Sequence, residues 1–126
     1  MEKQSLAPLP IVLQWSAWYP WPSLLIDGRA GGIAIPNYKP GVYEARLKGA
    51  NERLTIGKAS DLRRRVRQGL VKGMSFHSSG DGIRANEDTS KVEVRWAETK
   101  HRAAAEEELH RQHVAKYGRL PKYTKH

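Results

Sequence analysis

The chain contains no cysteine, which excludes disulfides, thiolate metal sites and cysteine nucleophiles. Long apolar runs are missing too. Ile11–Leu13 and Leu24–Ile26 are among the longest, far below the roughly 20 residues that a membrane span requires. Residues Met1–Leu13 lack both a basic start and a long apolar stretch, so no secretory leader and no membrane partner are expected, and a cytoplasmic location is. Acidic residues are scarce: 13 Asp and Glu face 22 Lys and Arg, a net charge of +9. The excess is uneven, about +1 over residues 1–40 and +8 over residues 41–126. A field of that sign attracts polyanions, nucleic acid above all, because neutralising phosphates releases condensed counterions. With 126 residues, 39% hydrophobic and 28% charged, the composition is that of one folded domain rather than a disordered tail.

What is present divides at residue 40. Pro8, Pro10, Pro20, Pro22, Pro36 and Pro40 punctuate the first part, with Trp15, Trp18, Tyr19 and Trp21 between them. Prolines so placed oppose regular helix, and residues 1–39 read as an extended arm, or an extra strand or two, packing on the core. The aromatics suit core filling, and they also suit base stacking. After Pro40 the pattern becomes regular. Gly41–Lys48 alternates, with Tyr43, Ala45 and Leu47 on one face and Glu44, Arg46 and Lys48 on the other, which predicts a strand. Gly49–Asn51 supplies a turn and Glu52–Gly57 a second strand, completing a hairpin. Ser60 or Asp61 can cap a helix to about Val71, with Leu62, Val66 and Leu70 at helical spacing. Gly73 to Asn86 reads as a Gly- and Ser-rich loop, Lys91–Glu98 as a third strand, and His101 to Tyr117 as a last helix ended by Gly118. The expected class is α+β: a small three-stranded antiparallel sheet flanked by helices, with a Pro/Trp-rich N-terminal arm.

The candidate chemistry lies on these elements. Hydrolysing a phosphodiester needs an activated water, positive charge for the developing oxyanions and help for the leaving oxygen. Tyr43 on the hairpin can act as base if cations such as Lys58 and Arg65 lower its pKa from about 10. Without such a role it is a strand aromatic packed beside Ala45 and Leu47. At about 100° per residue, Arg65 flanks the apolar stripe of the first helix and can reach the sheet. Arg63 and Arg67 lie on the other flank, suited to phosphate or solvent, as are Lys72 and Lys122. On the last helix the same reckoning puts Glu106 on the inner face with Leu109, His110 and His113. Glu107 falls at the margin and Glu108 towards water. One carboxylate plus waters is the usual way to hold Mg²⁺ beside a phosphate. Glu106, His110 and His113 could instead ligate zinc.

Gly41-Val42-Tyr43 and Thr55-Ile56-Gly57 are separated by eleven residues, Arg65 follows eight residues past Gly57, and His77 lies twelve further on in Phe76-His77-Ser78-Ser79. With the Glu106-Glu107-Glu108 helix, this order and spacing resembles the GIY-YIG nuclease family over residues 40–124. The resemblance implies a GIY-YIG-like domain over 40–126 and a DNA endonuclease, acting on double-stranded DNA with Mg²⁺ or Mn²⁺. It implies Tyr43 as base, Arg65 as stabiliser of transition-state charge, Glu106 as metal ligand, and His77 and Lys58 assisting. Thr55 stands where the family pattern has its second tyrosine, Thr124 where it tends to have an asparagine, and Gly69 where many members have a histidine. Thr55 cannot ionise near neutral pH, so either Tyr43 acts alone or the protein is a weakened, nucleic-acid-binding relative.

Overall fold

A computed structural model describes residues 11–26 and 34–124; the expected arm at 1–10 and 27–33 lies outside them. The architecture is α+β, with one antiparallel sheet and three helices. Strands β1 (Tyr19–Pro20), β2 (Gly41–Leu47), β3 (Thr55–Ala59) and β4 (Val92–Glu98) are ordered β1-β4-β2-β3. The expected hairpin is β2–β3, in a register that sets Tyr43 opposite Gly57 and Ala45 opposite Thr55. On its other side β2 pairs with β4, Tyr43 opposite Trp96. The sheet has four strands instead of three because the arm supplies β1, whose two residues pair with Val94 and Glu93. Pro20 and Pro22 stand at the N-cap and second position of a 3-10 turn, Trp21–Leu25, which tolerates Pro at its start because those N–H groups have no helical partner.

Both faces of the sheet are covered. One packs Tyr43, Ala45, Val94 and Trp96 against Trp21, Leu24, Leu62, Val66, Leu70 and Ile83. The other carries Val42 and Ala97, covered by Ala105 and Leu109 and by Leu13 and Trp15 of the arm. That second face also bears Glu44, only 3% exposed, although strand alternation had grouped it with polar neighbours. Its carboxylate accepts from Arg53 Nε at 2.9 Å and Arg95 Nε at 2.8 Å. Trp18 lies over the guanidinia of Arg46, Arg53 and Arg95, and Trp15 over that of Arg95. Stacked Arg–Trp pairs thus replace aliphatic cover, the planar cation resting on the aromatic face while the carboxylate neutralises it.

The helices differ from expectation in two places. After β3 the chain winds into α1 (Arg64–Val71) with i→i+5 hydrogen bonds, such as Lys72 N–H to Arg67 O at 2.9 Å. This wider π turn advances less per residue than an α-helix. Within it Val66, Gly69, Leu70 and Val71 are buried. The expected loop at 73–86 is instead helical from Ser78 to Asn86 (α2). Its glycines are packing residues: a Cβ on Gly80 would meet Leu70 O at 2.6 Å, and one on Gly82 the Tyr123 ring at 2.6 Å. The last helix, α3 (Arg102–Tyr117), ends at Gly118 in the left-handed conformation, φ 77°. Among the described residues no helix is long and apolar enough to cross a membrane.

Candidate active site

Tyr43 is buried on β2, one strand in from the β3 edge. Its phenol occupies the space that a side chain at position 57 would fill: a Cβ on Gly57 would lie 2.3 Å from Tyr43 Oη. The cross-strand glycine is therefore a seat for the ring.

His77 caps the N-terminus of α2 and is only 1% exposed. Its Nε2 lies 2.8 Å from Tyr43 Oη, and its Nδ1 accepts the Gly80 N–H at 3.1 Å. An Nδ1 that accepts carries no hydrogen, so in the neutral ring Nε2–H is the donor and Oη accepts. Burial, assisted by the charges of Arg65 and Arg84 and opposed by Asp81, lowers the His77 pKa to about 4, so the neutral ring prevails at neutral pH. His77 is consequently placed to donate to the phenol oxygen. Its ring does not lie on an exposed loop facing a phosphate.

Arg65, at the start of α1, is exposed and donates through Nη1 to Phe76 O at 3.4 Å. It stands close enough to Tyr43 to favour the phenolate by its charge and by hydrogen bonding. Burial nevertheless dominates and pushes the Tyr43 pKa up to about 12, with Glu106 adding a smaller upward push. The cation therefore acts in the expected direction but does not bring the phenol below its ordinary value. A half-buried edge site would have allowed that; a ring enclosed by β3 and α2 does not.

Glu106 arrives from α3 on the opposite face of the sheet, and its Oε1 lies 3.9 Å from Lys58 Nζ on β3. Of the neighbouring glutamates, Glu107 is exposed, while Glu108 is held by Arg111 and Gln112. Glu106 keeps its carboxylate half-buried and only loosely paired. It would suit a hard divalent cation that takes most of its ligands from water and phosphate. The zinc alternative does not assemble. His110 Nε2 lies 3.1 Å from Ile56 O, and His113 Nδ1 donates to Arg119 O at 2.7 Å. Among the described residues no group of three or more His, Asp or Glu is arranged to hold a metal.

Thr55 is buried and belongs to a hydroxyl chain. It donates to Ser79 Oγ at 3.0 Å, Ser79 donates to Tyr123 O at 2.7 Å, and Thr55 lies 3.1 Å from Thr124 Oγ1. The Thr124 hydroxyl has two acceptors in reach, Thr55 Oγ1 and Ile56 O at 3.4 Å, and itself accepts the Ile56 N–H at 3.0 Å. Two positions that depart from the family pattern thus touch each other, and together they fasten the C-terminal segment to β3 and α2. The third departure, Gly69, packs against the His77 ring: a Cβ there would lie 3.1 Å from His77 Cδ2.

Of the residues expected to contact nucleic acid, Arg63, Arg67 and Lys122 have partners within the chain. Arg63 donates to Ile35 O at 2.9 Å, and Arg67 to Leu24 O and Ile26 O at 3.3 and 3.4 Å, so both bind the arm to α1. Lys72 is half-buried just past α1, and Lys122 pairs with Glu87 at 3.2 Å. Sequence reading had left out Gly57 as the seat of the phenol, Gly80 as the backbone donor that sets the His77 tautomer, and Ser79. The Ser-Ser pair after His77 was a signal for the last, since such residues cap helix starts. Comparison with protein-family models, curated proteins and solved structures finds no match to this chain.

Proposed function

We propose that the protein is a metal-dependent DNA endonuclease that hydrolyses phosphodiester bonds with a GIY-YIG-like site. The observation that supports this reading is the buried Tyr43 phenol 2.8 Å from His77 Nε2, with the charges of Arg65 and, from the opposite face, Glu106 both acting on it. As phenolate, Tyr43 Oη would accept from His77 Nε2–H and Arg65 and still have a lone pair for a proton from water. The exposed Arg65 guanidinium would bind the non-bridging phosphate oxygens as negative charge grows on them. Lys58 would lie beside the same phosphate. Mg²⁺ or Mn²⁺ held by Glu106 would supply charge stabilisation at the departing oxygen.

A supercoiled-plasmid assay with Mg²⁺ or Mn²⁺ tests this reading. Wild type should nick, and Arg65→Ala alone should cost about 10²–10³ in rate, as loss of one charge-stabilising donor does. A wild type that nicks no faster than the Arg65→Ala, Glu106→Ala double variant would end the catalytic interpretation.

The raised phenol pKa sets the pH dependence. If the phenolate is the base, the rate rises about tenfold per pH unit from pH 6 to 9.5, because only a small, growing fraction of Tyr43 is ionised below about 12. Tyr43→Phe should flatten that slope, and a profile level across this range in wild type would exclude Tyr43 as base. The window stops short of pH 10 for a reason of linkage. A phenol raised in the folded state contributes stability that is fully present below the unfolded-state pKa near 10 and is lost progressively as the pH rises towards about 12.

The weakened, nucleic-acid-binding reading keeps one observation in its favour: Thr55 is fully engaged in its hydroxyl chain and offers no second ionisable group beside Tyr43. It predicts salt-sensitive DNA binding with no metal-dependent nicking.

A further inference from the structure

The four tryptophans do not share one fate. Trp21 and Trp96 are buried, and Trp18, half-buried, lies over three guanidinia. Trp15 remains half-exposed and lines an open groove of about 900 Å³ with Tyr38, Lys39, Glu98 and Lys100. Tyr38 is 81% exposed, and among the described residues it alone has a non-glycine backbone in the left-handed region, at φ 61°. That conformation is unfavourable for a tyrosine. It is held in place by the Asp61 carboxylate, which accepts the Tyr38 N–H at 3.1 Å. The ring is thereby presented at the groove instead of packing.

Resting on the reading of the protein as one that acts on DNA, we propose that this groove binds unpaired nucleotides of a DNA strand. Tyr38, with the part of Trp15 not covered by Arg95, offers aromatic surface for a base, Lys39 and Lys100 offer cations for its flanking phosphates, and Glu98 can accept from an exocyclic amino group. Only an unpaired base can present its face to such rings, because in a duplex both faces are already stacked. Two lysines against one carboxylate favour a polyanionic occupant over an apolar peptide. The groove adjoins the β4 side of Gly41, whose opposite side faces Ala59 of β3. With strands about 4.8 Å apart, it lies on the order of 10 Å from the β3 edge, within reach of a strand held at the candidate active site.

Fluorescence anisotropy in EDTA, which prevents cleavage, compares a blunt duplex with the same duplex carrying a single-stranded overhang. Wild type should prefer the overhang, and Tyr38→Gly should lose about tenfold in overhang affinity while blunt-duplex affinity changes less than about twofold. Glycine suits the left-handed backbone, so this variant should melt at or above the wild-type temperature, which separates lost stacking from lost folding. Lys39→Ala with Lys100→Ala should reduce the salt slope by about two. A Tyr38→Gly variant that binds the overhang as tightly as wild type, or a wild type without preference, overturns the groove alone. A wild type that binds neither DNA overturns the DNA reading together with it.

Discussion

Gly57→Ala should cost about 10²–10⁴ in plasmid nicking, as much as losing the general base itself. The added methyl would lie 2.3 Å from Tyr43 Oη and 2.4 Å from Cζ, so ring and methyl cannot share the space. The phenol would have to swing off the β3 edge, breaking its 2.8 Å contact with His77 and leaving the reach of Arg65. Because the displaced group is the end of a side chain, the fold should survive with a loss of about 1–3 kcal/mol, the range for an overpacked core. A folded but inactive protein is the expected result, with retained circular dichroism and a lowered melting temperature. Combining Gly57→Ala with Tyr43→Phe should add almost nothing to either change alone, since both remove one group. Nicking by Gly57→Ala at near wild-type rates would mean that the phenol over Gly57 is not the reacting group.

The second large effect is on stability. Glu44→Ala should cost about 3 kcal/mol, at the lower end of the range for breaking a buried ion pair. The carboxylate is 4% exposed and neutralises both Arg53 and Arg95, whose side chains are 17% and 20% exposed. Burial already holds the Arg95 pKa below its ordinary value, and Glu44 is the principal opposing influence. Without Glu44, Arg46, Arg53 and Arg95 would face one another beneath Trp18, with Glu93 on Arg46 the one carboxylate among the described residues left paired to them. Their partial exposure permits some rehydration, which places the value low in the range. Urea denaturation at neutral pH measures it, and a loss under about 1 kcal/mol would assign the hold of the arm to the Arg–Trp stacking instead.

His77 shows how far a motif can be read and where reading stops. In sequence it is one histidine in a polar, glycine-bearing stretch, free to be assigned to water, phosphate or the leaving group. The fold buries the ring, gives Nδ1 to the Gly80 N–H and turns Nε2–H towards Tyr43, none of which the sequence shows. The stretch after it was illegible as helix because Gly80 and Gly82 carry the composition of a loop. They are glycines because Leu70 and Tyr123 pass too close for a Cβ, and those neighbours lie 10 and 41 residues away in the chain. Arg63 and Arg67 illustrate the same limit: helical phase gave them an outward flank, and the carbonyls of the arm took them.

Local periodicity, turn residues and capping signals by themselves determined the hairpin, the β4 strand and the last helix with its Gly118 stop. Those features depend on neighbours within a few positions. The tertiary structure alone decided that the arm adds a strand, that Glu44 is buried beneath tryptophans, that the two threonines share a hydrogen-bond chain, and that the phenol lies enclosed over Gly57 with a pKa pushed up to about 12. Desolvation, close approach and donor direction depend on groups brought together across many tens of residues, and no window along the chain contains both partners.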